Sequence, residues 1–217
     1  VPGINPQGLL GGHYSPHDGS ASPLLCANAF HRRACSLGAE FRFREPVDKI
    51  VIQGGRAHGV RTAAGETIPA GVVIDAAGAN AGELCTRSGL DLPVVAEAHE
   101  AGITEPFARL FTAMVVDIRP AEYSKNFYFY QSARGQLVFC ITPEPPILAA
   151  DRRETSTFLP QVAARIVDLM PRLKNLRVRR TWRGLYPMTP DASPVVGWDC
   201  GVEGLFHVAG MCGQGFM

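Results

Sequence analysis

Three glycines, Gly210, Gly213 and Gly215, crowd the closing stretch "GMCGQGFM", directly after the apolar run from Leu205 to Ala209. At such density after a strand, glycine lets the backbone take positive φ or lie close against another group, leaving its N–H donors unobstructed. Phenol hydroxyls form a second chemistry-bearing pattern. In "NFYFYQ" a period of two puts Phe127 and Phe129 on one strand face and Tyr128 and Tyr130 on the other. The tyrosine face reads either as half-exposed surface or as the floor of a pocket offering hydroxyls to a ligand. His99 and Glu100 fall on another expected strand, where the imidazole is a structural hydrogen-bonder or a pocket residue.

Other candidates carry less. His13 and His17 would form a metal pair on a helix, but Pro16 and the loop composition deny the helix, and no third ligand is near. Asp191 in "TPDASP" suits a side chain that closes a turn. The sequence holds no G-x-S-x-G elbow, no Walker A loop and no paired-carboxylate motif. Six cysteines, at 26, 35, 85, 140, 200 and 212, include no C-x-x-C pair. They read as reduced, buried thiols of a cytoplasmic protein, not as a disulfide frame or a zinc site, and no metal is expected.

Local signals set out the elements that must position these groups. Ser22 as N-cap, Pro23 in the first turn and Gly38 past the end bound a helix, with Leu24, Leu25, Phe30 and Leu37 among its apolar residues. A short alternating strand is expected over 40–43, and Gly54-Gly55 joins strands 47–52 and 57–62 in a hairpin. A further strand covers 66–69. Val72, Val73 and Ile74 form a continuous apolar strand, as when both faces are covered, and end in Ala76-Ala77-Gly78 before a helix capped by Asn80. Alternating strands follow at 97–104, 109–118, 126–131 and 136–142, the pattern of an antiparallel sheet with one covered face. Pro160 opens a helix to about Met170, with Val162, Ile166, Val167 and Met170 on its apolar side; a strand over 176–183 precedes the closing strand.

At 217 residues, 46% hydrophobic and 19% charged, the chain can bury a core. A net charge of +1 gives no reason to expect nucleic acid as a partner. No apolar run approaches the ~20 residues of a membrane span. The sequence opens inside a Gly/Pro-rich loop without an initiator Met and closes inside a motif, so a piece of a longer chain is expected.

The segments "GGHYSPHDGSASPLLCANAFHRRACSLGAEF", "REPVDKIVIQGGRAHGVRT", "GETIPAGVVIDAAGANAGEL", "WRGLYPMTPDASPVVG" and "GLFHVAGMCGQGFM", in this order, resemble the flavoprotein family of D-amino-acid oxidase, glycine oxidase and sarcosine oxidase. The resemblance implies an α/β fold, α+β in its substrate part. It consists of an incomplete Rossmann-like FAD-binding domain at 1–92 and 184–217, and an inserted, mainly antiparallel-sheet substrate domain at 93–183. The changes of composition near 91–93 and near 184 agree with those limits. The family's opening strand and G-x-G-x-x-G are missing, so this stretch is expected to bind FAD weakly or not at all by itself.

The same resemblance assigns residues. Val47 matches the position whose backbone holds the adenine end of FAD, and Ala76, Ala77 and Gly78 the crossing near the ribose and pyrophosphate. Gly210, Met211, Cys212, Gly213, Gln214, Gly215, Phe216 and Met217 match the closing loop along the isoalloxazine ring. Tyr128 matches a pocket tyrosine, with Asn126 where a partner histidine stands in the glycine-oxidase type. Tyr186 occupies the place of that type's carboxylate-clamping arginine and of a tyrosine in the sarcosine-oxidase type. Arg183 could supply a carboxylate partner, and His99, from its place on the expected strand and not from the resemblance, is counted with the pocket. Gly184 replaces the cysteine that links flavin covalently, so FAD is expected non-covalently. Met217 stands where the sarcosine-oxidase type has its active-site lysine. The expected activity is oxidation of the C–N bond of an amino acid or secondary amine by hydride transfer to flavin. The alternatives are a 2-hydroxy-acid dehydrogenase of the same fold and a non-catalytic interaction module. A homo-oligomer or a hetero-oligomeric dehydrogenase complex fits the family equally.

Overall fold

The computed structural model describes residues 1–215. Helix α1 (Pro23–Ser36) begins where its cap demands: the Ser22 hydroxyl accepts from the Leu25 N–H at 3.4 Å, with Pro23 in the first turn. Its expected apolar side is not covered among the described residues; Leu24, Leu25 and Phe30 are all exposed. The strand expected over 40–43 does not form. Alternation alone makes no strand without a hydrogen-bonding neighbour, and the chain instead turns at Phe43 and Arg44, where φ is 60°.

Strands β1 (Val47–Gln53), β2 (Arg56–Thr62) and β3 (Thr67–Pro69) form an antiparallel sheet joined by the Gly54-Gly55 turn. Strand β4 (Val73–Asp75) leads through a 3-10 turn (Gly78–Asn80) into helix α2 (Ala81–Arg87). Asn80 occupies the cap position without a capping side-chain bond. β4 is not covered on both faces as expected: Val73 and Asp75 are buried, whereas Ile74 is 61% exposed.

Strands β5 (Val95–Pro106), β6 (Val115–Asp117), β7 (Ser124–Gln131), β8 (Gln136–Pro143) and β9 (Val178–Met188) build one antiparallel sheet in the order β6-β7-β8-β5-β9. β9 runs unbroken across residue 184, where the two parts of the chain were expected to meet. Helix α3 (Phe158–Leu169) covers one face, burying Phe158, Val162, Ile166 and Leu169 at helical spacing. Val167, expected on that side, is exposed. Phe127, Phe129, Leu137, Phe139 and Ile141 meet α3 from the sheet, so the aromatic alternation buries phenylalanine as expected. Strands β10 (Val195–Trp198) and β11 (Leu205–Ala209) complete the fold; β11 pairs antiparallel with β10 and parallel with β4.

Candidate functional site

The parallel register Leu205↔Val73, Phe206↔Ile74 and His207↔Asp75 makes β4 and β11 end at the same sheet edge. The segment Ala76, Ala77, Gly78 and the closing loop from Gly210 therefore leave side by side from carboxyl ends of neighbouring strands, where open α/β sheets bind ligands. Ala77 packs against Ala81, Val94 and Ala209, and with Val47 against the cluster around Ile50, Leu84 and Leu205. Gly78 has φ +59°, with nothing within 4 Å of the place a Cβ would take. Gly210, at φ +65°, is tighter: a Cβ there would stand 2.4 Å from Thr189 Cγ2. The loop then folds back on β9, with the Cys212 N–H donating to the Pro187 carbonyl at 3.0 Å and the Gln214 N–H to the Met211 carbonyl at 2.9 Å. At Gly213 a Cβ would lie 3.2 Å from the Tyr186 ring, and at Gly215 one would lie 2.8 Å from Met211 Cβ. Phe216 and Met217 lie outside the described residues.

The sheet face opposite α3 carries the polar cluster. Tyr128 pairs with Cys140, Cys140 with Ala101, His99 with Gly184 and Glu97 with Tyr186, all in unbroken alternation. The imidazole of His99 lies flat on Tyr186, with centroids 4.0 Å apart and planes 3° from parallel. Its Nε2 is 2.8 Å from Glu97 Oε1, and its buried Nδ1 has no partner among the described residues. Burial pushes the His99 pKa down, and the Glu97 carboxylate only partly offsets this. The imidazole is therefore neutral near pH 7, its Nε2–H donating to Glu97. Burial, then Cys140 and Tyr186, push the Tyr128 phenol well above its ordinary range. Burial raises Tyr186 too, and pushes Cys140 up to about 11. Both phenols stay protonated at neutral pH: they are hydrogen-bond donors, not bases.

Arg183 does not join them. β9 alternates without a bulge here, so Arg183 falls opposite Glu100 on the α3 side, and its Nη1 donates to the Arg153 carbonyl at 2.8 Å. Asn126 accepts a hydrogen bond from the Thr142 hydroxyl at 2.8 Å. Asp191 closes its turn as expected, accepting from the Ser193 N–H at 3.1 Å. Glu97 and Cys140 were missed. Glu97 was within reach of the period of two from His99; Cys140 needed the cross-strand register.

A separate buried cluster sits at the β4–β11 edge. Asp75 Oδ1 accepts from the Ala77 N–H at 3.0 Å, and Cys85 Sγ lies 3.6 Å from Asp75 Oδ2. His207 Nε2 is 3.1 Å from Asp199 Oδ2. Burial works against the Asp199 carboxylate, but that bond and the N–H groups of Gly201 and Val202 hold its pKa down. Burial, then Asp75, push the Cys85 thiol up to about 12.

A family model described as FAD dependent oxidoreductase matches residues 1–217. Hydrogen cyanide synthase subunit HcnC of Pseudomonas aeruginosa is 28% identical over 197 residues, covering 89% of this chain and 44% of that protein. Sarcosine oxidase subunit beta of Rhizobium meliloti is 28% identical over 208 residues, covering 96% of this chain and 48% of that protein. The crystal structure of L-proline dehydrogenase from P. horikoshii superposes with a TM-score of 0.82 at 30% identity, covering 93% of this chain and 53% of that one. The chain thus spans about half the length of the curated relatives it matches. No helix among the described residues is long and apolar enough to cross a membrane.

Proposed function

The chain belongs to the FAD dependent oxidoreductase family, and we propose that it supplies the substrate face and ring-side loop of an enzyme oxidising the C–N bond of an amino acid or secondary amine. The carrying observation is that Tyr128, Tyr186, His99 and Glu97 share one sheet face, against which the glycine loop packs at Gly213. The residues present fit FAD. Val47 would serve its adenine end, and Ala76, Ala77 and the unobstructed Gly78 its ribose and pyrophosphate. The main chain from Gly210 to Gly215 would lie along the ring, with Phe216 and Met217 assigned to the same loop. FAD, when bound, supplies the hydride acceptor.

The chain's own part is positioning. Tyr128 and Tyr186 donate hydrogen bonds to a substrate oxygen, such as a carboxylate, from a half-buried face. His99 acts through Tyr186: held by Glu97, it fixes the phenol ring by stacking. Tyr186→Ala is expected to lower kcat/KM on the order of 10- to 100-fold, because the substrate loses both donor and wall. Tyr186→Phe, which keeps the stack, should lose less; equal losses would remove His99 from the positioning role. The names of the two curated relatives support assembly with other chains as a further part of this reading.

The function is tested by mixing the FAD-loaded enzyme of which this chain supplies the substrate face anaerobically with amino acids, secondary amines and 2-hydroxy acids and following the flavin absorbance. Amines or amino acids should bleach it. Bleaching by hydroxy acids alone would replace this reading with the dehydrogenase one, and bleaching by none would leave the interaction module.

A further inference from the structure

From the buried cluster at the β4–β11 edge we infer a binding site for one zinc-like divalent cation, held by Asp75 Oδ2, Cys85 Sγ and His207 Nδ1. All three residues are buried and come from β4, α2 and β11, and their ligand atoms lie within 4.8 Å of one another. Cys85 Sγ and His207 Nδ1 stand 3.6 and 3.5 Å from Asp75 Oδ2. Tetrahedral zinc with bonds of about 2.0–2.3 Å separates neighbouring ligand atoms by about 3.3–3.5 Å. Two of the three separations are therefore already close to those around an ion, and the third is no more than 4.8 Å.

A second observation points the same way. His207 Nδ1 is buried and without hydrogen-bond geometry to any described group, although Asp75 Oδ2 faces it at 3.5 Å. In the tautomer whose Nε2–H donates to Asp199, Nδ1 turns a lone pair toward a carboxylate oxygen. Two lone pairs facing each other in a dry interior repel unless a cation lies between them. The Asp199–His207 contact is also the carboxylate–histidine support that ligating imidazoles carry, since it fixes the tautomer and the ring. Asp75 keeps Oδ1 on the Ala77 N–H, leaving Oδ2 for the metal.

Charge balances as well. Binding releases the Cys85 proton to solvent, so a thiolate and a carboxylate neutralise a doubly charged ion. A cleft of about 330 Å³, lined by Asp91, Trp198, Asp199, Cys200 and His207 among others, reaches the imidazole and offers a way in. Zinc suits a sulfur, nitrogen and oxygen set better than magnesium or calcium, which favour oxygen alone. This departs from the expectation of reduced, buried thiols without a zinc site; their spacing hid Cys85 because its partners lie on other elements.

The test uses metal content and spectra, independently of flavin and of activity. Purified protein, after gel filtration, should retain about one zinc per chain. Exchange with cobalt should give a thiolate-to-cobalt charge-transfer band that Cys85→Ser abolishes and Cys26→Ser keeps. His207→Gln should lose at least tenfold in zinc affinity while its circular dichroism stays that of a folded chain. Should either variant fail to fold, stoichiometric cobalt titration of the unmutated protein decides. No thiolate-to-cobalt band there would overturn the site. Zinc held equally by Cys85→Ser and His207→Gln would overturn it too.

Discussion

Replacing Phe129 with Ala is expected to destabilise the protein by about 3–5 kcal/mol, the range for truncating a fully buried aromatic. Phe129 is 0% exposed. It touches Phe127 at 5.8 Å in a near-stacked pair and Phe111 at 5.7 Å edge-on, and the cluster extends through Leu137 and Phe139 to α3. Two aromatic contacts and the transfer of the ring out of water are lost together. The surroundings cannot collapse easily, since β7 is pinned by β6 and β8 on its two sides. Its strand neighbour Tyr128 gives the control. Tyr128→Phe keeps the ring on the opposite face and removes only a hydroxyl, so it should change the denaturation midpoint little. Urea unfolding of both variants checks this; equal destabilisation would mean that the two faces of β7 are not divided into core and site.

That division was legible in six letters, because alternation is a property of neighbours in the chain. The same holds for α1, whose start was readable from Ser22 and Pro23, and for the Gly54-Gly55 hairpin. What failed depended on partners elsewhere. The alternation at 40–43 was real but met no neighbouring strand. Arg183 looked like a carboxylate partner until the register with Glu100 fixed its face. Glu97 came to Tyr186 only through the pairing of β5 with β9, and Cys140 to Tyr128 only through that of β7 with β8. Asp75, Cys85 and His207 show the extreme case: positions on three different elements become one cluster because β4 and β11 run parallel. The resemblance to the flavin-dependent family supplied the expectations at Val47 and Gly78, positions where spacing offers no side-chain signature.

Gly82→Ala should destabilise the chain by about 3 kcal/mol, against the usual sign for a helix interior. By propensity alone, Ala in α2 is favoured over Gly by about 0.8–1.0 kcal/mol. Here a Cβ would stand 2.1 Å from the Val94 carbonyl oxygen and 3.1 Å from that of Leu92. Both obstacles are backbone, so no rotamer change relieves the collision; α2 or the segment entering β5 must move. Overpacking of this kind costs about 1–3 kcal/mol when side chains yield, and more when they cannot, so sterics outweigh propensity. Gly197→Ala is the comparison: it lies in β10 with nothing within 4 Å of the added methyl, and should leave the midpoint almost unchanged. If Gly82→Ala proves neutral or stabilising in thermal unfolding, the close approach of α2 to Val94 is wrong. The consequence reaches the site, because Val94 also packs with Ala81 and Ala209, between the two loops assigned to the cofactor. A displaced α2 would shift Cys85 from Asp75 and Ala81 from Ala77 and Ala209 at once. Loss of cobalt binding should therefore accompany the loss of stability, whereas Phe129→Ala, on the far face of the other sheet, should spare cobalt binding at temperatures where it is folded.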